Sequence, residues 1–498
     1  MSSGLNSAGA RPGTRALTRG QVGRYAIGSL GTGGFATLPG LVLVYYLTDS
    51  LGVTALAAGA IVTVAKVWDV IIDPVIGGIS DRAHARTGSR RALMYLGAIG
   101  LPVAFVLTFA VPGGVDPVAA ALWVLVAFMI AATCFSLFQV PYIALPAELT
   151  DDYRQRTRLL TWRVVVLTLA ILLFGAGGPE LRGLFPDDPL LGYLVMAVAA
   201  AAVLGVGMAV AATVAPRDAI RDAAATASLA THYRAGLAVL RESQPFRALL
   251  ITYMLQALAT GLMLAAAQFV ARWVLHDEGA VTPLFAALIA PAVLMAPVWK
   301  LVADRVGKER AFRLASLVFL IAALGLGAMI WAPGWWITAP VAVAGAAYAG
   351  MQTLPMAMLP DVIAYDRAGG GRDVAAGEVA GAGGAASEDG GAGAAVSEEA
   401  GGDTASGENR SGMFSGVWTA GETTGMALGA TVLSIVLAVT GYVESTVGET
   451  VVQPGAAVVG IAVAFSLLPA ALMVVSLVTL TRYRLRERDI VHAAGVAS

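Results

Sequence analysis

Three ionisable side chains interrupt one otherwise apolar stretch of the sequence. The stretch covers 53–79 and contains Lys66, Asp69 and Asp73. Their i, i+3, i+7 spacing places all three on one face of a helix. Charged groups at membrane depth are costly, and they usually line an interior pathway or an ion site. The spacing therefore predicts a polar strip on a membrane-spanning helix, as in a cation-coupled transporter.

The composition agrees with a membrane protein. Hydrophobic residues make up 57% of the 498 residues and charged residues only 13%, whereas a soluble domain carries about 25% charged residues. The net charge of −1 gives no indication of nucleic-acid binding. We therefore predict an all-α membrane protein whose partners are the lipid bilayer and a small-molecule substrate, with no nucleic acid.

Twelve apolar segments are each long enough to cross about 30 Å of hydrocarbon as a helix. Basic residues are concentrated in both tails and after the even-numbered segments, which places both termini in the cytoplasm by the positive-inside rule. We predict a multi-pass protein of the cytoplasmic membrane. The predicted spans are 22–47, 53–79, 92–112, 118–147, 159–178, 190–214, 247–272, 281–302, 312–332, 335–359, 413–441 and 455–480.

The dipeptide Asp-Arg follows both the second and the eighth spans, as Asp81-Arg82 and Asp304-Arg305. Charged groups at these two ends can hydrogen-bond between the two halves of a transporter and release them when it changes conformation. We therefore expect the four residues to act in gating. The alternative is that they only orient the chain by positive charge.

A second repeat ends the fourth and tenth spans, as 141–148 and 355–361, each with two prolines and a final acidic residue. Both repeats lie on the same predicted side, so the halves share one orientation, as in transporters that bind substrate between two repeats. We predict an N-terminal six-helix half at 1–214, a cytoplasmic connection at 215–246 and a C-terminal six-helix half at 247–498.

The segment 367–412 does not fit this plan. It consists mainly of Gly, Ala, Ser and acidic residues, a composition that cannot bury enough apolar area to fold alone. We predict a disordered cytoplasmic insert between the tenth and eleventh spans.

Motifs along the whole chain resemble those of one transporter family. They are Tyr-Tyr-Leu-Thr-Asp at 45–49, Trp68-Asp69 with Asp73-Pro74, the stretch 140–158, and the segments 361–366 and 410–419 on either side of the insert. This pattern resembles the glycoside–pentoside–hexuronide:cation symporters, a melibiose permease-like branch of the major facilitator superfamily. The resemblance implies twelve transmembrane helices in two six-helix parallel repeats (the major facilitator fold) and secondary active transport.

The resemblance also implies a coupling site. Asp69 and Asp73 match the family's two cation-binding carboxylates, Ser136 matches a hydroxyl of the fourth helix, and Lys66 matches a basic position. Hard cations such as sodium prefer oxygen ligands, and a desolvated carboxylate can instead take up a proton. An asparagine common in the family is Ile72 here, which removes one oxygen ligand and leaves sodium and proton equally open. A static salt-bridge network is the alternative.

Substrate contacts follow the family pattern less closely. Arg163 matches an arginine near the substrate, or is a snorkelling residue at the interface. Gln139 stands where the family has an acidic residue and Thr423 where it has a lysine, so specificity for galactosides does not transfer. The candidate substrate-binding residues are Arg163, Gln139, Tyr142, Gln256, Gln352, Trp418, Glu422 and Thr423.

The sequence leaves three functions open. The first is sodium- or proton-coupled symport of a glycoside or related polar solute. The second is proton-coupled export of a hydrophobic or lipid-like compound, and the third is a receptor or scaffold that does not transport. We expect no enzyme activity and no cofactor, because the sequence has neither a phosphate-binding loop nor a metal-ligand cluster. We also expect a monomer.

Overall fold

The computed structural model describes residues 17–150, 152–216, 240–241, 243–367, 403–449, 451–483 and 485. Within these residues the chain is helical apart from turns, short connections and one isolated β-bridge between Leu51 and Thr446. The α-helices are α1 Arg19–Ile27, α2 Ser29–Asp49, α3 Ala55–Thr87, α4 Arg91–Phe109, α5 Pro117–Leu149, α6 Tyr153–Gly183, α7 Pro189–Ala212, α8 Gln244–Phe269, α9 Val281–Val306, α10 Lys308–Leu326, α11 Thr338–Arg367, α12 Asp403–Val439, α13 Gly455–Phe465 and α14 Leu467–Leu480.

Eleven helical segments of the described residues are long and apolar enough to cross a membrane. The helices α1 and α2 together form one such segment, and so do α13 and α14. The predicted tenth span, 335–359, corresponds to α11, a helix of 30 residues. Each of the twelve predicted spans therefore has a helical counterpart in the structure.

Several helices extend beyond their predicted spans. The second span was predicted to end at 79, but α3 continues to Thr87, so Asp81 and Arg82 are helical rather than part of a loop. The helices α3 and α9 end just before Gly88 and Gly307, whose φ angles of 67° and 88° end a helix readily. Apolar composition marks the membrane interior, whereas these glycines mark where the helix stops.

The predicted disordered insert is partly helical. Since α12 begins at Asp403, the residues 403–412 continue the eleventh span rather than belonging to a disordered loop. A composition that cannot form a core does not prevent a helix from extending past the membrane. The residues 368–402 lie outside the described part of the chain, as do 217–239 of the predicted central connection.

The chain divides into two compact units. The first comprises Met1–Pro39 and Val67–Thr226, and the second comprises Gly40–Lys66 and Ala227–Ser498. In the first unit α4 packs against α5 and α7, and in the second α8 packs against α12 and α14 while α9 and α10 pack against α11. The second unit therefore includes the end of α2 and the beginning of α3, although the sequence predicted both to belong to the N-terminal half.

Small residues let the helices of the second unit approach closely. A Cβ atom on Gly429 of α12 would lie 2.3 Å from the backbone nitrogen of Leu262 on α8. Because no side chain fits at this distance, the contact between these two helices requires glycine. Close packing through small residues is typical of membrane helices, which gain little from hydrophobic burial in lipid.

A hydrogen-bond network attaches the end of α2 to the rest of the second unit. The Tyr442 hydroxyl donates to Asp49 Oδ1 at 2.6 Å and accepts from Trp273 Nε1 at 2.8 Å. Burial and the Asp49 carboxylate raise the pKa of the Tyr442 phenol well above its ordinary value, so the phenol remains a donor. Glu444 Oε1 accepts from the backbone N–H of Ala55 at 2.8 Å and caps α3.

This network predicts that Tyr442→Phe destabilises the protein. The substitution removes a hydrogen bond to a charged group, which contributes about 1.5–3 kcal/mol to stability. We expect a clearly lower melting temperature for the purified variant in detergent. Tyr95→Phe is the matched control, because among the described residues the Tyr95 hydroxyl is bonded only to Arg91 one turn earlier on its own helix. Equal melting temperatures for the two variants would contradict the prediction.

Candidate functional site

The predicted coupling residues lie on α3, a helix of 33 residues. Lys66 and Asp69 are partly buried and Asp73 is exposed. Immediately before Asp69, Trp68 Nε1 donates to Thr133 Oγ1 of α5 at 2.8 Å. This bond fixes the position of α3 on α5 at the level of the first carboxylate.

Ser136 lies on α5 three residues after Thr133 and is buried. Residues three apart share a helix face, so Ser136 lies on the same side of α5 as Thr133. Its predicted role beside Asp69 stays a prediction. Among the described residues, no group of three or more His, Cys, Asp or Glu side chains could hold a metal ion. A sodium ion would thus depend on two carboxylates supplemented by neutral oxygens.

Tyr142 is a packing residue in this structure. It is fully buried, and its ring stacks on Tyr25 and Phe138 at centroid distances of 4.8 and 5.0 Å. Its hydroxyl donates to the Tyr25 carbonyl at 2.8 Å and lies 3.1 Å from Ser29 Oγ. Because both ring and hydroxyl are already occupied, the geometry gives no support to a direct substrate contact by Tyr142.

Tyr142 instead positions Arg163. The Arg163 guanidinium carbon lies 5.5 Å from the Tyr142 ring centroid, within range of a cation–π interaction. Arg163 Nε is buried and has no hydrogen-bond acceptor among the described residues. Arg163 therefore retains donor capacity at a position held by α5.

Gln139 lies one turn before Tyr142 on the same helix. Its Oε1 accepts from Thr32 Oγ1 of α2 at 2.7 Å, and both side chains are partly buried. The predicted site residues did not include Thr32. The signal for it was a polar side chain within a largely apolar span.

A compact ion network lies at one end of the first unit. Arg90 contacts Glu148 at 2.5 Å and Asp81 at 2.7 Å, and Arg90 Nη1 also donates to Ser80 Oγ at 2.7 Å. Arg82, by contrast, donates to the Gly78 carbonyl of its own helix. The sequence analysis thus identified Asp81 but not Arg90 and Glu148. A basic residue directly before α4 and an acidic residue at the end of α5 could have indicated this ion network.

The second unit contains an equivalent pair. Lys308 Nζ, at the start of α10, contacts Asp361 Oδ2 of α11 at 2.6 Å and donates to the Ala357 carbonyl at 3.0 Å. Asp304 and Arg305 lie in the last turn of α9, and neither forms an ion pair with another described residue. The equivalent pairs agree with a parallel duplication, and the gating role of the Asp-Arg dipeptides stays a prediction.

Three predicted residues of the second unit meet around Tyr253 of α8. Its hydroxyl lies 2.5 Å from Gln352 Oε1 and 2.8 Å from Glu422 Oε1. Trp418, which is 1% exposed, stacks on the Tyr253 ring at 4.5 Å. Gln352 Nε2 lies 2.5 Å from the Tyr348 hydroxyl. The result is a continuous polar chain between α8, α11 and α12.

Two other predicted residues lie outside this chain. Gln256 is 2% exposed and its amide donates to Ser316 and Ser476, so it ties α8 to α10 and α14. The Thr423 hydroxyl donates to the Thr419 carbonyl of its own helix at 3.0 Å. The geometry therefore favours a structural role for Gln256, and within the described ranges Thr423 has no hydrogen-bond partner from another helix.

Two cavities of the second unit differ in size and place. The cavity beside Tyr253, Tyr348 and Gln352 measures about 10 Å³, enough for roughly one water molecule. A larger cavity of about 400 Å³ is lined by residues that include Arg272 and Gln453, near the ends of α8 and α13. It lies away from the polar chain around Tyr253, so its size does not make it the substrate site.

Comparison with known proteins gives one consistent result. A family model described as MFS/sugar transport protein matches residues 24–397 and 402–487. The glucuronide carrier protein homolog of Escherichia coli is 23% identical over 475 residues, which cover 93% of this chain and 92% of that protein. A symporter of Synechocystis is 32% identical over 168 residues, so the matched segment spans only 31% of that relative.

A solved structure supports the fold. The D-xylose-proton symporter superposes with a TM-score of 0.65 at 12% identity, covering 94% of this chain and 98% of that one. At this identity the likeness establishes the fold alone. The predicted major facilitator fold is confirmed.

The ion network in the first unit predicts that Glu148→Gln lowers stability. Removing the carboxylate leaves the largely buried Arg90 with one acidic partner instead of two, at a cost of about 1.5–3 kcal/mol. The measurement is thermal unfolding of the purified variant. Glu309→Gln is the control, since in the described part of the chain its one ion pair is a helical i, i+4 pair with Arg313 that contributes about 0.2–0.5 kcal/mol. A Glu148→Gln protein as stable as this control would show that the network contributes little.

Proposed function

Because the chain belongs to the MFS/sugar transport protein family, we propose that it couples uptake of a glycoside or related polar solute to sodium or proton entry. The observation that carries this proposal is the match to the glucuronide carrier homolog over nearly the full length of both chains. The resemblance to the glycoside–pentoside–hexuronide:cation symporters is confirmed. The family and its named relatives are transporters, and this chain is a multi-pass membrane protein.

Asp69 and Asp73 bind the coupling cation in this proposal. Two carboxylates on one helix face are costly in a membrane interior until a cation or proton neutralises them. Ser136 supplies a neutral oxygen near Asp69, and Lys66 balances the carboxylates when no cation is bound. The hydrogen bond between Trp68 and Thr133 supports this assignment, because it holds the turn of α3 that carries Asp69 against α5.

The polar face of the first unit binds the solute. Arg163, Gln139 and Thr32 offer hydrogen-bonding groups from α6, α5 and α2, and the guanidinium charge of Arg163 suits an anionic solute. The relative named as a glucuronide carrier homolog agrees with a sugar acid as one candidate.

One observation keeps the exporter alternative open. Both aromatic candidates, Tyr142 and Trp418, are at most 1% exposed and so offer no stacking surface to a sugar ring. A hydrophobic solute would need no such surface. Export of a hydrophobic compound driven by proton entry therefore remains the second candidate function.

We further propose that the protein lies in the cytoplasmic membrane as a monomer with both termini in the cytoplasm. The asymmetry of basic residues between the two sets of loops supports this orientation. In this orientation the ion network around Arg90 is cytoplasmic and the network around Asp49 faces outward.

Transport by the purified protein in proteoliposomes tests the proposal. We expect uptake of at least one compound from a panel of glycosides and sugar acids when either a sodium or a proton gradient is imposed. Asp73→Asn should reduce gradient-driven uptake at least tenfold, because the neutral amide has no negative charge for a sodium ion or a proton to balance. Asp187→Asn changes an exposed carboxylate between α6 and α7 and should leave uptake unchanged.

Each outcome has a distinct meaning. The gradient that drives uptake identifies the coupling ion. Full uptake by the Asp73→Asn protein would remove Asp73 from the coupling site. Absence of uptake for every sugar under both gradients would contradict symport and favour the exporter.

A further inference from the structure

The hydroxyl of Tyr253 has two partners that both look like acceptors. Gln352 Oε1 lies at 2.5 Å and Glu422 Oε1 at 2.8 Å, but a phenol carries a single proton. If Glu422 were ionised in this arrangement, Tyr253 could donate to one oxygen only. The other contact would then join two oxygens with no proton between them.

Two proton arrangements satisfy every contact in the chain. In the first, Glu422 is protonated and donates to Tyr253, Tyr253 donates to Gln352 Oε1, and Gln352 Nε2 donates to Tyr348. In the second, the Gln352 amide is rotated, so Nε2 donates to Tyr253, Tyr253 donates to an ionised Glu422, and Tyr348 donates to Oε1. The two arrangements differ by one proton and one rotation of the amide.

The structure has the amide in the first arrangement, with Nε2 2.5 Å from the Tyr348 hydroxyl. We infer that Glu422 is a proton-binding site whose occupancy sets the orientation of the Gln352 amide. The ligand of this site is a proton, and its partners come from three helices, α8, α11 and α12.

The surroundings of Glu422 favour the protonated form. Within the described part of the chain no Lys, Arg or His side chain forms an ion pair with it. The titratable groups that face it are Tyr253 and Tyr348. A carboxylate without a cationic partner is costly at membrane depth, whereas a neutral hydrogen-bonded acid is not.

The neighbouring side chains fix the tyrosine but not the amide. Trp418 stacks on the Tyr253 ring with an angle of 18° between the planes, which holds the hydroxyl between its two partners. The small cavity of about 10 Å³ adjoins Tyr253 as well as Gln352 and Tyr348. Reversing the amide exchanges an oxygen for a nitrogen of similar size and needs no further room, whereas turning Tyr253 away would break its stack on Trp418.

This site would give the transporter a proton on the second unit, distinct from Asp69 and Asp73. Loss of the proton as pH rises would rotate the amide and turn the Gln352 donor from Tyr348 toward Tyr253. The use of this proton in transport rests on the proposed function. Its presence on Glu422 does not, so the two can fail separately.

Infrared spectroscopy of the purified, lipid-reconstituted protein tests the inference without any transported solute. The parent should show a carboxylic acid C=O band at neutral pH that weakens as the pH is raised. Glu422→Gln should remove this band. Glu180→Gln, which changes an exposed carboxylate on α6, should leave it unchanged.

Two further variants test the link to the amide while Glu422 itself is kept. Gln352→Leu removes the competing acceptor, so Tyr253 can donate to an ionised Glu422, and the neutral-pH band should fall at least twofold. Tyr253→Phe removes the acceptor of the acid proton, so the band should persist and move to higher frequency.

A neutral-pH carboxylic acid band that is the same in the parent and in Glu422→Gln would overturn the inference, because Glu422 would then be ionised. If Glu422→Gln fails to fold, an unchanged band in both Gln352→Leu and Tyr253→Phe would also overturn it. A band that depends on Glu422 but not on Gln352 would contradict the coupling between proton and amide.

Discussion

Hydrocarbon offers no hydrogen-bond partner, so every polar side chain within the membrane helices must find its partner inside the protein. The polar chain of the second unit follows from that constraint, since Tyr253 joins an amide to an acid. At the helix ends, Arg90 contacts two carboxylates and Lys308 contacts a carboxylate and a carbonyl. Each of these contacts joins different helices, so the polar groups also fix how the helices pack.

The two units contain an ion pair between helices at equivalent places, but formed by different residues. A base at the start of α4 or α10 reaches an acid at or near the end of α5 or α11. Arginine in the first unit has a planar fork that binds two acids, whereas lysine in the second is a single point charge. The base of the first unit therefore holds two acidic side chains, whereas the base of the second unit holds one. The carboxylates predicted to bind the coupling cation belong to the first unit.

The sequence predicted the helices of this fold, but not which of the candidate site residues are buried. Long apolar runs identify spans because membrane insertion depends on composition alone. Helix ends depend on single glycines such as Gly88, and a single residue changes the mean hydropathy of a long window very little. Tyr142 and Gln256 look like ligand contacts from their positions, yet each is occupied by neighbours from distant helices. The hydrogen bond between Asp49 and Tyr442 joins residues that are 393 positions apart in the sequence, so no local sequence pattern predicts it.

That separation has a consequence for biosynthesis. Asp49 leaves the ribosome long before Tyr442, and at roughly 5–20 residues per second the interval is on the order of 20–80 seconds. During this time the end of α2 and the start of α3 are in the membrane without the residues that later hold them. The second unit cannot be completed until nearly the whole chain has been made. The order of synthesis therefore makes the first two helices among the last to reach their final packing, and a truncated chain would leave a buried carboxylate without its tyrosine.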